Sequence, residues 1–495
     1  MVESSGVVFP SVEGGAGVTS SLGRAVVAGA LRGVDPVGAR SAEQQTNWRR
    51  EYLGHFRRLV EAGLSSGDAA RRIAADGLAT LLDRMRFRRP GGDEVGLREV
   101  FAGDDGAADD GALATVTVAG SGPVERELSL PYRGERLRGA ALERQLDAWV
   151  TAGVVEPSCA EAIRLVMANP DWLDLSDQRV VALGAGAEMG PVRSVLRWGG
   201  DVVAVDLPRP PVWRRLLETA ERHGGRLHVP VRAGRAGEGA HDDLSERAGA
   251  DLLHRLPDVT RWLQAVDGRL VLGNYVYADG ATNVRVSVAV DALTEELRRR
   301  REDVALALLA TPTDVFAVPG DAVAHAEEAY QRSSTMRRLR RPLRLLSAGR
   351  LLRRNYPPGA DPGVCDSLVA QQGPNYALAK RLQRWRAAHA RAAGATVSIK
   401  VAPPTRTRSV VKNRALAAAY AGAHVFGVEV FEPATSNTLM AALLVHDLRN
   451  PVPPHEHVWQ DEAYAAAHGG LWRAPYAPRS ALGLAALIGL GGARG

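Results

Sequence analysis

From Asp174 onward the chain alternates between two textures. Short apolar runs rich in Val and Leu are separated by longer stretches whose apolar positions recur every three or four residues. Seven runs are predicted strands: "RVVAL" from 179, "DVVAV" from 201, "RLHVPV" from 226, "RLVLGNYVY" from 269, "VALALLA" from 304, "TVSIKVA" from 396 and "HVFGVEVF" from 424. Near-continuous apolar strands alternating with amphipathic helices are the pattern of parallel strands joined by crossover helices. The expected class is α/β, a doubly wound (Rossmann-type) parallel sheet of seven strands.

Upstream the pattern is different. Residues 1–40 are rich in Gly, Val and Ser without a period, and are expected to be loose. Residues 41–89 read as helical, with "LSSGDAARRIAADGLATLLDRM" opening on a Ser/Asp cap and keeping Ile73, Leu78, Leu81 and Leu82 near one face. "AGDDGAADDG" (102–111) reads as an acidic loop, and "LATVTVAGSGPVERELSLPY" as a β-hairpin turning at Gly-Ser-Gly-Pro. Two helices follow, the second capped by Ser158. A single core rarely exceeds ~250–300 residues. The division expected is therefore a mainly helical N-terminal accessory domain (1–174), a nucleotide-binding domain (175–450) and a C-terminal tail packed on the core (451–495), with "ALGLAALIGLGG" as a packed helix.

Charge and composition narrow the class. A net charge of +6 over 495 residues is too small to indicate a nucleic-acid binder. Cys159 and Cys365 stand alone, without a CxxC or a Cys/His neighbour, so neither a disulfide scaffold nor a zinc site is expected. A reducing cytoplasm is the simplest setting. No basic-then-apolar leader and no ~18-residue apolar span are present, so membrane contact is not expected. "HEH" (455–457) lacks further ligands and is not read as a metal site.

The first strand runs into "LGAGAEMG", placing Gly184, Gly186, Met189 and Gly190 in a strand-to-helix turn, and the second strand ends at Asp206. Glycines let a backbone approach a phosphate, and a carboxylate at that second position can hold the hydroxyls of an adenosine ribose. NAD(P) or S-adenosylmethionine would suit such a unit.

"NYALAK" adds a second signal. The chain writes arginine almost everywhere and has only three lysines, Lys380, Lys400 and Lys412. Lys380 stands four places after Tyr376, on one face of a helix. An ammonium there is expected to lower the tyrosine pKa and make it a usable acid and base.

With these two features the chain resembles the short-chain dehydrogenase/reductase superfamily over about residues 177–450. The resemblance implies that Tyr376 exchanges a proton with the substrate and that Lys380 holds the nicotinamide ribose. It implies further that Thr311 or Thr313, after the fifth strand, holds the substrate carbonyl, with Thr311 favoured. Asn283 would hold a proton-relay water, and Thr405 and Thr407 would lie beside the nicotinamide. Glu188 and Pro404 stand where the family has glycine. Thr311 also lies 65 residues before Tyr376, against roughly a dozen in the family. Either an Arg-rich insert at about 320–362 folds out and leaves both ends in place, or Ser367 takes the role of Thr311.

The function expected is an NAD(P)-dependent oxidoreductase acting on a small carbonyl or alcohol substrate, in a homo-oligomer. Asp206 favours NAD and Arg209 could favour NADP. Nine arginines between Arg332 and Arg354, with no acid from Ala329 to Ala360, leave three readings open: a solvated surface helix, a lid that draws an anionic or carrier-linked substrate, and contact with an anionic membrane surface. The alternatives are a methyltransferase and a catalytically silent nucleotide-binding protein.

Overall fold

The computed structural model describes residues 5–10, 18–102, 112–233, 244–332 and 334–492. Its centre is a mixed, mostly parallel seven-stranded sheet. In chain order the strands used below are β1 (Leu113–Ala119), β2 (Gln178–Leu183), β3 (Asp201–Val205), β4 (Arg226–Arg232), β5 (Arg269–Asn274), β6 (Val304–Ala310), β7 (Val315–Val318), β8 (Gly363–Asp366) and β9 (Val397–Val401). The sheet order is β9-β6-β5-β2-β3-β4-β1. Six strands run parallel, and β1 closes the β4 edge antiparallel.

Alternation within each strand decides which layer it faces. Val181, Leu183, Val203, Val205, Leu270 and Leu272 enter one hydrophobic core. Val180, Ala182, Val202, Ala204 and Val271 enter the other. Both faces are apolar because both are covered, which is why these strands read as continuous apolar runs.

Six of the seven expected strands form. The seventh does not: residues 423–426 make a 3-10 turn, and only Phe431 touches an extended neighbour, bridging to Thr405. The seventh strand of the sheet is instead β1. Its residues were expected to turn back as a hairpin at Gly-Ser-Gly-Pro. They pair with β4, from Leu113–Arg232 to Ala119–Arg226, because Gly120 and Gly122 press against the backbone of Ala220, Arg222 and His223.

The N-terminal residues are built into the same cores. Val18–Arg32 is a helix with Leu22, Val26, Val27 and Leu31 buried, so this part of 1–40 is ordered by tertiary packing where no local period is evident. That helix, Trp48–Gly63 and Gly67–Arg84 pack in the first core, and Gly139–Thr151 and Pro157–Ala168 in the second. The hydrophobic cores thus run across residue 174. Ser66 caps Gly67–Arg84 as expected, accepting from the Ala69 amide at 3.0 Å. Ser158 does not cap its helix. Glu156 and Pro157 begin that helix, and the Ser158 hydroxyl accepts from the Ala465 amide. Residues 103–111 of the acidic loop lie outside the described residues.

The insert leaves and returns through a two-stranded antiparallel ribbon, with Val318 opposite Gly363 and Val315 opposite Asp366. Helices Gly320–Arg332 and Ser334–Leu346 lie between. No helix among the described residues is long and apolar enough to cross a membrane. Both cysteines are free and buried.

Candidate functional site

The candidate residues gather along one edge of the sheet. Gly184 follows β2, Asp206 follows β3, Asn274 ends β5, Thr311 follows β6, and Ala402 to Thr405 follow β9. Registers Leu183–Val205, Leu183–Asn274 and Ala310–Val401 put these C-terminal ends side by side.

The glycine turn is shaped for close approach. Gly184 adopts φ +81° against the Tyr275 carbonyl, a conformation that a side chain rarely takes. Gly186 has no room for a Cβ beside Val212 and the Asp206 carboxylate. Asp206 accepts from the Gly186 and Leu207 amides, each at 2.7 Å. Burial still raises its pKa above the ordinary carboxylate value, opposed by those amides and by Arg209. Gly190 faces the Tyr275 ring. Met189 is partly buried, in a cavity of ≈ 10 Å³ shared with Tyr275, Leu309, Lys400 and Met440, which is room for about one water.

Glu188 has a partner that its place in the glycine turn does not reveal. Its carboxylate accepts from the Arg408 amide at 2.8 Å and from the Arg408 Nε at 2.9 Å. Its backbone carbonyl accepts from Asn437. The glycine turn is thereby tied to the loop after β9. In that loop Thr405 is buried, bonded to the Pro403 carbonyl and the Ser436 hydroxyl, and Thr407 bonds Ser409.

Tyr376 and Lys380 stand on the Gly373–Ala392 helix. Thr311 lies near enough to Tyr376, across the whole insert, to pull the tyrosine pKa down. Thr311 in turn meets Thr313 at 2.9 Å. Ser367 is elsewhere, buried and bonded to Cys365. The Tyr277 ring lies edge-on to Tyr376 with centroids 6.3 Å apart, and Tyr420 is close enough for Tyr376 to raise its pKa, after burial.

The expected lowering of the tyrosine pKa is not found. Burial pushes the Tyr376 hydroxyl up to about 12, with the nearby Thr311 pulling the other way. The Lys380 ammonium does not act on it. Lys380 donates to the Leu309 carbonyl at 3.4 Å and to Gln383 at 3.1 Å, and burial pulls it down to about 8. Both residues keep some exposed surface, yet dense surroundings govern their titration.

Asn283 is buried, and its side-chain oxygen accepts from the Ala278 amide, which closes the loop after β5. Asn274 was missed by sequence reasoning. It is buried, and its side-chain oxygen finds no donor among the described residues. It lines a second cavity of ≈ 10 Å³ with Ser287, Asp291, Thr294 and Gln383. Lys400 was also passed over. It is buried and paired with Asp447 at 3.0 Å, which ties strand β9 to the Pro433–Arg449 helix. His455 and His457 serve the Val458–Ala463 helix, the first bonded to Asp461 and the second as its N-cap.

No model of a known protein family matches the chain, and no curated protein matches it.

Proposed function

We propose that the chain is an NAD(P)-dependent oxidoreductase of the short-chain dehydrogenase/reductase type, with a doubly wound Rossmann-type sheet. The observation that carries this reading is the approach of Thr311 to Tyr376 across the insert, with Lys380 one helical turn further on. Numbered among themselves, the parallel strands β2, β3, β4, β5, β6 and β9 lie in the order 3-2-1-4-5-6. In sheets of this order a dinucleotide binds where the order reverses, here between β2 and β5.

The residues fit the two ends of such a cofactor better than its middle. Gly184, Gly186 and Asp206 would hold the adenosine, and Lys380 with Thr311 the nicotinamide end. Glu188 stands where the phosphates would approach, so Arg408 must leave it when they bind. The bound cofactor supplies or takes the hydride. Tyr376, protonated at neutral pH, gives its proton to the substrate oxygen in the reducing direction, and Thr311 fixes that oxygen and the tyrosine hydroxyl together. Asp206 favours NAD, and Arg209 beside it is the base that would admit NADP. The substrate is a carbonyl or alcohol, anionic or carrier-linked.

The Glu188–Arg408 pair favours a second reading, a nucleotide-binding protein without turnover. Thermal shift with NADH, NADPH and S-adenosylmethionine, followed by turnover across carbonyl substrates, separates the readings. A shift with a nicotinamide dinucleotide together with turnover is expected. A shift without turnover leaves the silent binder, and a shift with S-adenosylmethionine alone overturns both.

A further inference from the structure

Two helices on one side of the molecule carry apolar side chains that the protein does not cover. Ser334–Leu346 exposes Leu345 and Leu346, at 84% and 85%. Pro478–Gly492 exposes Leu487, Ile488 and Leu490. Among the described residues ten large apolar side chains are exposed, and these five make up half of them. The two helices are neighbours. Leu343 from the first and Leu484 from the second pack against one cluster of Tyr330, Leu352, Phe426, Tyr476, Ala481 and Ala485.

The same side is basic. Arg341, Arg344, Arg350 and Arg353 are exposed. No acid occurs from Ala329 to Ala360, and none from Ala463 to Gly495. Arg340 is committed within the fold, stacked 3.9 Å over the Tyr330 ring.

We propose that this side is a docking surface for an anionic lipid bilayer, with the leucines entering the headgroup layer and the arginines bound to lipid phosphates. Charge and apolarity together select the occupant. A second copy of the chain would set one arginine-rich face against another. A soluble acidic partner would use the arginines and leave five large apolar side chains on two helices without a role. A bilayer uses both, and stable attachment to one needs both an apolar and a basic element. Contact of this kind requires no spanning helix, so it stands beside the absence of one.

The test is flotation of the full chain with vesicles of one part phosphatidylglycerol to two parts phosphatidylcholine, and with phosphatidylcholine alone. Binding is expected to the anionic vesicles only. It should fall steeply from 0.1 M to 1 M salt, as the Debye length shrinks from about 10 Å to about 3 Å. Partitioning should drop at least about tenfold both in the variant Leu487→Ser/Ile488→Ser/Leu490→Ser and in Arg341→Gln/Arg344→Gln/Arg350→Gln. Leu345→Ser/Leu346→Ser gives the same apolar test should the first variant melt early. Equal binding to neutral vesicles, no binding to either, or arginine-only dependence overturns the proposal. So does a dimer in lipid-free buffer that the leucine variants convert to monomer, since the face would then join two copies.

Discussion

Arg384 and Asp314 are 70 residues apart in the chain and 2.8 Å apart in the fold. Asp314 also takes Arg381 at 2.6 Å, and Arg384 grips Glu462 with two bonds of 2.6 Å. All four side chains are buried. Burial alone would raise the Asp314 pKa, but the two guanidinia more than offset it and hold the carboxyl low. This cluster fastens the Tyr376 helix to the strand end that bears Thr311. Arg386, bonded to Asp291 at 2.6 and 2.7 Å, fastens the same helix to Gly280–Arg300.

Removing Arg384 should therefore cost more than its own contacts. Arg384→Met leaves Glu462 unpaired and Asp314 with one partner. A loss of about 3–5 kcal/mol in denaturant unfolding is expected. Arg384→Met/Glu462→Leu should recover part of it, because one stranded charge is gone. A double variant no more stable than the single would show that Glu462 is not the charge left exposed.

Tyr376→Phe keeps the ring and removes the proton. Turnover should fall by at least about 10²-fold, the usual scale of general acid catalysis, while dinucleotide affinity stays within a few-fold. Thr311→Val should also lower kcat, by less. Steady-state kinetics with matched binding isotherms checks both, and an active Tyr376→Phe enzyme would remove this residue from the chemistry.

Lys380 gives a pH signature. Its pKa is about 8 in the fold against 10.5 ordinarily. Between those values the unfolded chain holds a proton that the folded chain has released, so stability rises with pH across that window. Below it the folded chain carries the full cost of a buried ammonium. Lys380→Met should be more stable than wild type at pH 7, by at most about 3 kcal/mol, and the gap should close between pH 8 and 10.5. Unfolding at several pH values measures it. A gap that stays constant with pH would mean the ammonium is solvated.

Glu188→Gln tests the pair across the crevice. The pair is partly exposed, and such pairs are worth ~0–1 kcal/mol, so Arg408 is released cheaply. The variant should bind NADH and ADP-ribose about tenfold more tightly, with adenosine unchanged. Equal tightening of adenosine in calorimetry would place the effect away from the phosphates.

Arg209→Ala should weaken NADPH more than NADH, because Asp206 alone repels a 2′-phosphate. Dissociation constants for both nucleotides decide it, and parallel changes would take Arg209 out of cofactor choice.

The runs at 179, 201, 226, 269, 304 and 396 were legible because a strand covered on both faces must be apolar throughout, a local property of about five residues. The glycine turn was legible for a similar reason, since Gly184 answers to a local backbone angle. Ser66 could be read as a cap from its own neighbours. The run at 424 has the same apolar character as those strands and does not pair, while 113–119 found a sheet edge more than a hundred residues away in sequence. Edge pairing depends on which backbone is left open, and that exists only in the assembled sheet. The insert's return through β7 and β8, and with it the nearness of Thr311 to Tyr376, rests on long-range pairs such as Asp314 with Arg381. The direction of the Tyr376 pKa was decided the same way. Spacing places a lysine one turn away, but burial depends on every element packed around the hydroxyl, and here it governs, because the lysine ammonium is turned to Leu309 and Gln383.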